Sequence, residues 1–195
     1  MDLEYAAATV AGYLLGSIPV ALLVARRHDV DLYSTGDGNP GAWNALEQLG
    51  PRRAWPAFIG DALKGLLAGL IGLALGDVWT AYVAVAAAMI GHAFPLFAGF
   101  RGGKSVMTFA GGAFAVAPLP AAIALAACVV TSVATRSFAT GARVGIFGFP
   151  LVQLALDGPE RTAATGALMT LIGLLFLLRG RSGRATSAEG GAPTR

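Results

Sequence analysis

Long apolar runs, interrupted by charge only at their ends, set the terms for this chain. From Tyr5 to Ala25, and again from Ser105 to Thr135, there is no Asp, Glu, Lys or Arg. Such runs cross a bilayer or lie at the centre of a large soluble core. A soluble core needs a polar coat. Here charged residues are 13% of the chain, about half the share usual in a soluble domain. The chain therefore reads as an all-α, polytopic membrane helix bundle.

About seven transmembrane helices are expected: Leu3 to Ala25, Ala54 to Leu75, Val78 to Ala98, Ser105 to Ala117, Ala121 to Thr135, Val144 to Leu156 and Thr162 to Leu178. Pro118 and Pro120 read as a break between the fourth and fifth. Segments four to six fall short of the roughly 20 residues of a perpendicular span, so they read as tilted or partly re-entrant. The chain begins Met1-Asp2-Leu3-Glu4, acidic where a secretory signal is basic, so the first run is expected to stay as a span. Residues 1–179 form one membrane domain. The polar, glycine-rich stretch 180–195 reads as a disordered cytoplasmic tail.

Charge orients the bundle. With the N-terminus outside, Asp2, Glu4, Asp77, Asp157 and Glu160 fall outside with a single basic residue, Arg161. Arg26, Arg27, Arg52, Arg53, Arg101, Lys104, Arg136, Arg143 and Arg179 fall inside, as the positive-inside rule requires, and the C-terminus is cytoplasmic. The net charge of +3 does not indicate nucleic acid, because the basic residues lie between apolar runs and form no solvated face. One cysteine, Cys128, allows no disulfide within the chain. His28 and His92 have no metal-ligand spacing, and neither metal nor cofactor is expected.

Three places carry chemistry. In the first loop, Asn39-Pro40 reads as an N-cap followed by proline at the first helical position, opening a short interfacial helix that ends at Gly50-Pro51. Asn39 and Asn44 offer amide groups to a polar ligand there. In the second segment, Asp61 and Lys64 share a helix face at i, i+3, either as an internal ion pair or as the lining of a substrate cavity. The third is Gly91-His92 through Arg101-Gly102-Gly103-Lys104-Ser105. A glycine turn with Arg and Lys, opening a helix, favours an anion through bare backbone N–H groups and the helix dipole. It is not a Walker loop, since Ala98 stands where that motif needs glycine. Taken singly, His92 reads as an interfacial histidine bonded to a neighbouring helix, and Arg101 and Lys104 as topology anchors.

Together these blocks resemble the PlsY-type acyl-phosphate:glycerol-3-phosphate acyltransferases, bacterial membrane enzymes that start phospholipid synthesis. The similar residues are Gly16-Ser17-Ile18-Pro19; Gly36, Gly38, Asn39, Gly41, Ala42 and Asn44; Asp61-x-x-Lys64-Gly65; and Gly91-His92-x-Phe94-Pro95 through Gly102-Gly103-Lys104. The resemblance implies a multi-pass protein of the bacterial cell membrane that moves an acyl group from acyl phosphate to glycerol-3-phosphate or a related polyol phosphate, with the acyl tail among membrane lipid. It implies that Lys104, Arg101, Gly102 and Gly103 hold phosphate, that Gly38, Asn39, Gly41, Asp61 and Lys64 help bind substrate, and that His92, Lys104 and Asn44 serve catalysis.

The chain departs from the family pattern in four respects. Asp37 replaces a serine, Trp43 a threonine and Glu47 an arginine, and the C-terminal His-Arg-x-x-Asn-Ile motif is absent. Glu47 turns a local attraction for phosphate into a repulsion. A relative that binds acyl phosphate without turnover, a different acceptor, or a small transporter gated by Asp61 and Lys64 are the alternatives.

Overall fold

The computed structural model describes residues 3–189, with side chains to residue 178. Among them the secondary structure is helical throughout: α1 (Leu3–Gly16), α2 (Val20–Arg26), α3 (Ala42–Leu49), α4 (Pro51–Leu75), α5 (Val78–Ala93), a 3-10 turn (Leu96–Ala98), α6 (Val106–Val116), α7 (Pro118–Thr135), α8 (Phe138–Asp157) and α9 (Pro159–Glu189). The segment expected as a tail from Gly180 begins along the last turns of α9, and residues 190–195 lie outside the described residues.

Among the described residues, six stretches are long and apolar enough to cross a membrane: Leu3–Arg26, Pro51–Leu75, Val78–Ala98, Pro118–Thr135, Phe138–Asp157 and Pro159–Leu178. The fourth expected segment, α6, has 11 residues, about 16 Å of helix against a hydrocarbon layer of about 30 Å. It nevertheless links the two ends of the bundle. Val116 at its end accepts a hydrogen bond from Arg161, in the first turn of α9, while Lys104 before its start lies over the ring of Phe176, far along α9.

The prolines correct the sequence reading of where helices begin. Pro118 and Pro120 do lie at the break between the fourth and fifth segments, α6 ending at Val116, but they belong to the first turn of α7 rather than preceding it, because that turn has N–H groups without intrahelical partners and proline lacks one anyway. Pro51 opens α4 in the same way. α3 starts at Ala42 with Gly41 as its N-cap, two residues later than Asn39-Pro40 suggested. The N-terminal end of α5 is closed by Asp77, whose carboxylate accepts from the backbone of Trp79 (2.9 Å) and Thr80 (3.0 Å).

Packing follows membrane rules. Gly12 and Gly16 of α1 lie so close to Ala84 and Ala88 of α5 that a Cβ on either would run into a backbone carbonyl. Small residues are what allow helices to approach in lipid, where burying apolar surface supplies no drive. Val133, Leu151 and Leu177 are 74%, 70% and 68% exposed, an apolar outer surface suited to hydrocarbon rather than water. Inside, a core of Tyr82, Val85, Met89, Val116, Phe149 and Leu168 joins α5 to the second half of the chain. A second core of Leu22, Leu32, Ala45 and Ala54 seats α2, the first loop and α3 against α4. The candidate site lies where α2, α4 and the end of α5 meet.

Candidate active site

The first membrane stretch is broken between α1 and α2 at Ser17-Ile18-Pro19. Pro19 has no N–H, so the helical ladder lapses there. Lys64 Nζ of α4 reaches the break and donates to the Ile18 carbonyl at 3.1 Å. The same ammonium lies 2.9 Å from Asp61 Oδ1, one turn earlier on α4. Both side chains are buried, Asp61 at 1% and Lys64 at 4% exposure. His92, in the last turn of α5, brings its Nδ1 to 3.5 Å from the same carboxylate oxygen. Asp61 and Lys64 form the internal ion pair, and the same two residues also line a cavity.

That cavity has an empty volume of about 220 Å³, partly open to solvent. Asp61, Lys64, His92, Arg101, Gly102 and Gly103 line it together with Ile18, Pro19, Leu22 and Pro40. Charged groups therefore face an apolar wall supplied by the α1–α2 break.

The Gly-Gly turn works differently from the sequence reading. Its N–H groups are not bare. Gly102 N–H donates to Ala93 O and Gly103 N–H to His92 O, each at 3.1 Å, so the pair straps back across the end of α5 and satisfies carbonyls the helix leaves open. A Cβ on Gly103 would overlap the Nε2 edge of the His92 imidazole, and one on Gly102 the His92 carbonyl and Pro95. The glycines are needed for this close approach. Any anion at this turn must be held by side chains and by the start of α6, where Ser105 makes no side-chain cap and instead donates to Met89 O at 2.6 Å.

The basic residues of the turn diverge. Arg101 lines the cavity, its guanidinium 4.4 Å from the centroid of the Tyr33 ring, and the Tyr33 hydroxyl donates to Arg101 O at 2.9 Å. Lys104 is outside the lining. Its Nζ lies 3.0 Å from Asp37 Oδ2 and 4.6 Å from the Phe176 ring centroid.

In the first loop, Asn44 differs from its expected catalytic part. It is 1% exposed, and its amide nitrogen faces the carbonyls of Leu32 (3.1 Å), Thr35 (2.9 Å) and Asn39 (3.1 Å). Its donors are taken up in closing the loop. Asn39 gives its backbone N–H to Asp37 Oδ1 at 3.0 Å, and Gly38 turns the chain at φ 67°. A Cβ on Gly41 would reach van der Waals distance of Gly103 Cα, so the loop runs beside the Gly-Gly strap.

Two of the family departures are each other's partners: Trp43 Nε1 donates to Glu47 at 2.8 Å. Sequence reading missed Tyr33, whose contacts to Arg101 and Ala98 span 68 and 65 residues and leave no local signal.

An all-helical, multi-pass membrane protein with a charged pocket sunk among its helices is the class that this fold and site define. A family model described as "Glycerol-3-phosphate acyltransferase" matches residues 6–186. A glycerol-3-phosphate acyltransferase of Geobacter sulfurreducens is 35% identical over 184 residues, 93% of each chain. One of Rhizobium etli is 40% identical over 168 residues, 85% of this chain and 81% of that one. The crystal structure of PlsY (YgiH), an integral membrane glycerol 3-phosphate acyltransferase, in its glycerol 3-phosphate form superposes with a TM-score of 0.75 at 28% identity, covering 95% of this chain and 92% of that one. A lysophosphatidic acid form also superposes with a TM-score of 0.75. The chain belongs to this family, the membrane glycerol-3-phosphate acyltransferases of phospholipid synthesis.

Proposed function

We propose that this chain transfers an acyl group from acyl phosphate to a hydroxyl of glycerol-3-phosphate, or of a closely related polyol phosphate, at the cytoplasmic face of a bacterial membrane. The observation that carries this reading is the pocket itself: Lys64, His92 and Arg101 converge on a space whose other wall is the apolar Ile18-Pro19-Leu22 face. Phosphate and acyl chain call for these two surfaces side by side. The orientation with the N-terminus outside is part of the proposal. It is supported by the arginines at the pocket end of the bundle and by Asp77 and Asp157 at the other.

The acyl donor is already activated, so no covalent enzyme intermediate is required. The acceptor hydroxyl oxygen bonds to the acyl carbon, and the bond from that carbon to the phosphate oxygen breaks. Inorganic phosphate leaves with the electron pair, and the hydroxyl proton passes to the departing phosphate or to His92. The protein's part is to align the hydroxyl with the acyl carbon and to meet developing negative charge with fixed positive charge. Arg101, on the pocket wall, and Lys104, three residues on and outside the lining, serve the phosphate groups. Lys64 is held in place by Asp61 and Ile18 O and sets the field inside. With Nδ1 turned to Asp61, His92 presents Nε2 along Gly103, where it serves as hydrogen-bond donor or base according to its protonation. Asn44 and Asn39 shape the loop that covers this end.

The test is turnover in lipid nanodiscs with a long-chain acyl phosphate and glycerol-3-phosphate. Lysophosphatidate should appear in amounts that depend on both substrates. No product with glycerol-3-phosphate or any other polyol phosphate would overturn the reading, and a fully active Lys104→Ala protein would remove Lys104 from phosphate binding.

A further inference from the structure

Asp37 pairs with the one lysine of the glycine turn, which stands outside the pocket lining. Its carboxylate is fixed at both oxygens: Oδ1 accepts the Asn39 N–H at 3.0 Å, and Oδ2 faces Lys104 Nζ at 3.0 Å. The loop carrying Asp37 is closed from behind by the buried Asn44 amide, so the carboxylate is a fixed post and the long Lys104 side chain is the movable partner. The pair is partly exposed, 27% for Lys104 and 47% for Asp37, and so is open to exchange with a solvent-borne anion. The other acidic replacement in this loop does not compete for the lysine, because Glu47 is engaged by the Trp43 indole.

We infer that Asp37 is a specificity-determining residue that acts as the resident counter-anion of Lys104, which a phosphate-bearing substrate must displace. The inference rests on the reading that Lys104 serves phosphate. A carboxylate has two acceptor oxygens and one charge, whereas a phosphate monoester has three terminal oxygens and up to two charges, so the exchange favours the phosphate. The site then answers to how strongly anionic its substrate is. Weak anions leave Lys104 parked on Asp37, and strong ones draw it over.

The test compares wild type, Asp37→Asn and Asp37→Ser, each with and without Lys104→Ala, in nanodiscs. Asparagine keeps an oxygen for the Asn39 N–H while removing the charge, and serine is the second variant should that one fold poorly. An exposed pair of this kind is weak, so the expected change is small. KM for glycerol-3-phosphate, and the inhibition constant of inorganic phosphate, should each fall roughly two- to fivefold while kcat stays within about twofold. Adding Lys104→Ala should erase the gain. A KM that is unchanged or raised in both Asp37 variants, with Lys104→Ala still raising KM, overturns the counter-anion role and leaves the phosphate role of Lys104 standing. A Lys104→Ala protein with unaltered KM and inhibition constant overturns both.

Discussion

Asparagine in place of Asp61 should destabilise this bundle more than any other isosteric change in it. Asp61 Oδ1 lies 2.9 Å from Lys64 Nζ, a pairing of about 6 kcal/mol at an effective dielectric near 20 before desolvation is counted. Taking the carboxylate charge away leaves the Lys64 ammonium at 4% exposure, still donating to Ile18 O but with no counter-charge from Asp61. Breaking a buried pair on one side costs about 3–5 kcal/mol, a loss of hundreds- to thousands-fold in the ratio of folded to unfolded protein. Removing both charges is a different experiment. An Asp61→Asn, Lys64→Met protein has no stranded charge and should recover to within about 2 kcal/mol of wild type. Lys64→Met alone should fall between the two, because Asp61 keeps His92 beside it. Reversible unfolding in mixed micelles, read by far-UV circular dichroism, gives all four free energies. The reasoning is refuted if Asp61→Asn lies within about 1 kcal/mol of wild type, or if the double variant is as unstable as the single one.

Other parts of the site make separate predictions. Gly103→Ala places a methyl group on the His92 imidazole and should lower kcat by about tenfold or more, with a stability loss of about 1–3 kcal/mol; unchanged kcat would show that His92 has room to move. Asn44→Ala removes the donors to three loop carbonyls and should cost about 1–3 kcal/mol and expose residues 32–39 to proteolysis; a large fall in kcat at unchanged stability would return Asn44 to the catalytic machinery. The Asp77 carboxyl lies below the ordinary carboxylate range, chiefly because the Thr80 backbone N–H bonds it; desolvation opposes this, and the Thr80 hydroxyl and Trp79 N–H add to the lowering. Its contribution is complete above the unfolded pKa and is lost as pH falls through the lower folded one, so Asp77→Asn should flatten the acid limb of stability against pH. Identical acid limbs in the two proteins would refute that account.

Much of the framework was legible without coordinates. Helix positions followed from apolar run length, and the misplaced starts at α3 and α7 have one cause. Proline and asparagine tell where a helix is permitted to begin, while neighbouring packing and the next free carbonyl decide where it does. The i, i+3 relation of Asp61 and Lys64 was visible because helix geometry alone puts them on one face. The Gly-Gly turn was misread because an unpaired N–H looks the same in sequence as one that bonds a carbonyl nine or eleven residues back.

Run length, low charge and the placement of arginines determine by themselves that this chain is a multi-pass helical bundle, since hydrocarbon leaves a backbone no partner outside its own helix. The four motif blocks likewise point to the family. Tertiary structure alone decided which charges meet. His92 joins Asp61 from another helix, and Asp37 takes Lys104 across 67 residues. Trp43 and Glu47 could have been placed one turn apart from sequence, but that the indole occupies the carboxylate is a matter of rotamers. The physical reason is range. Propensity and periodicity act over a few residues, whereas an ion pair depends on a few ångströms of space between elements that only the packed bundle brings together.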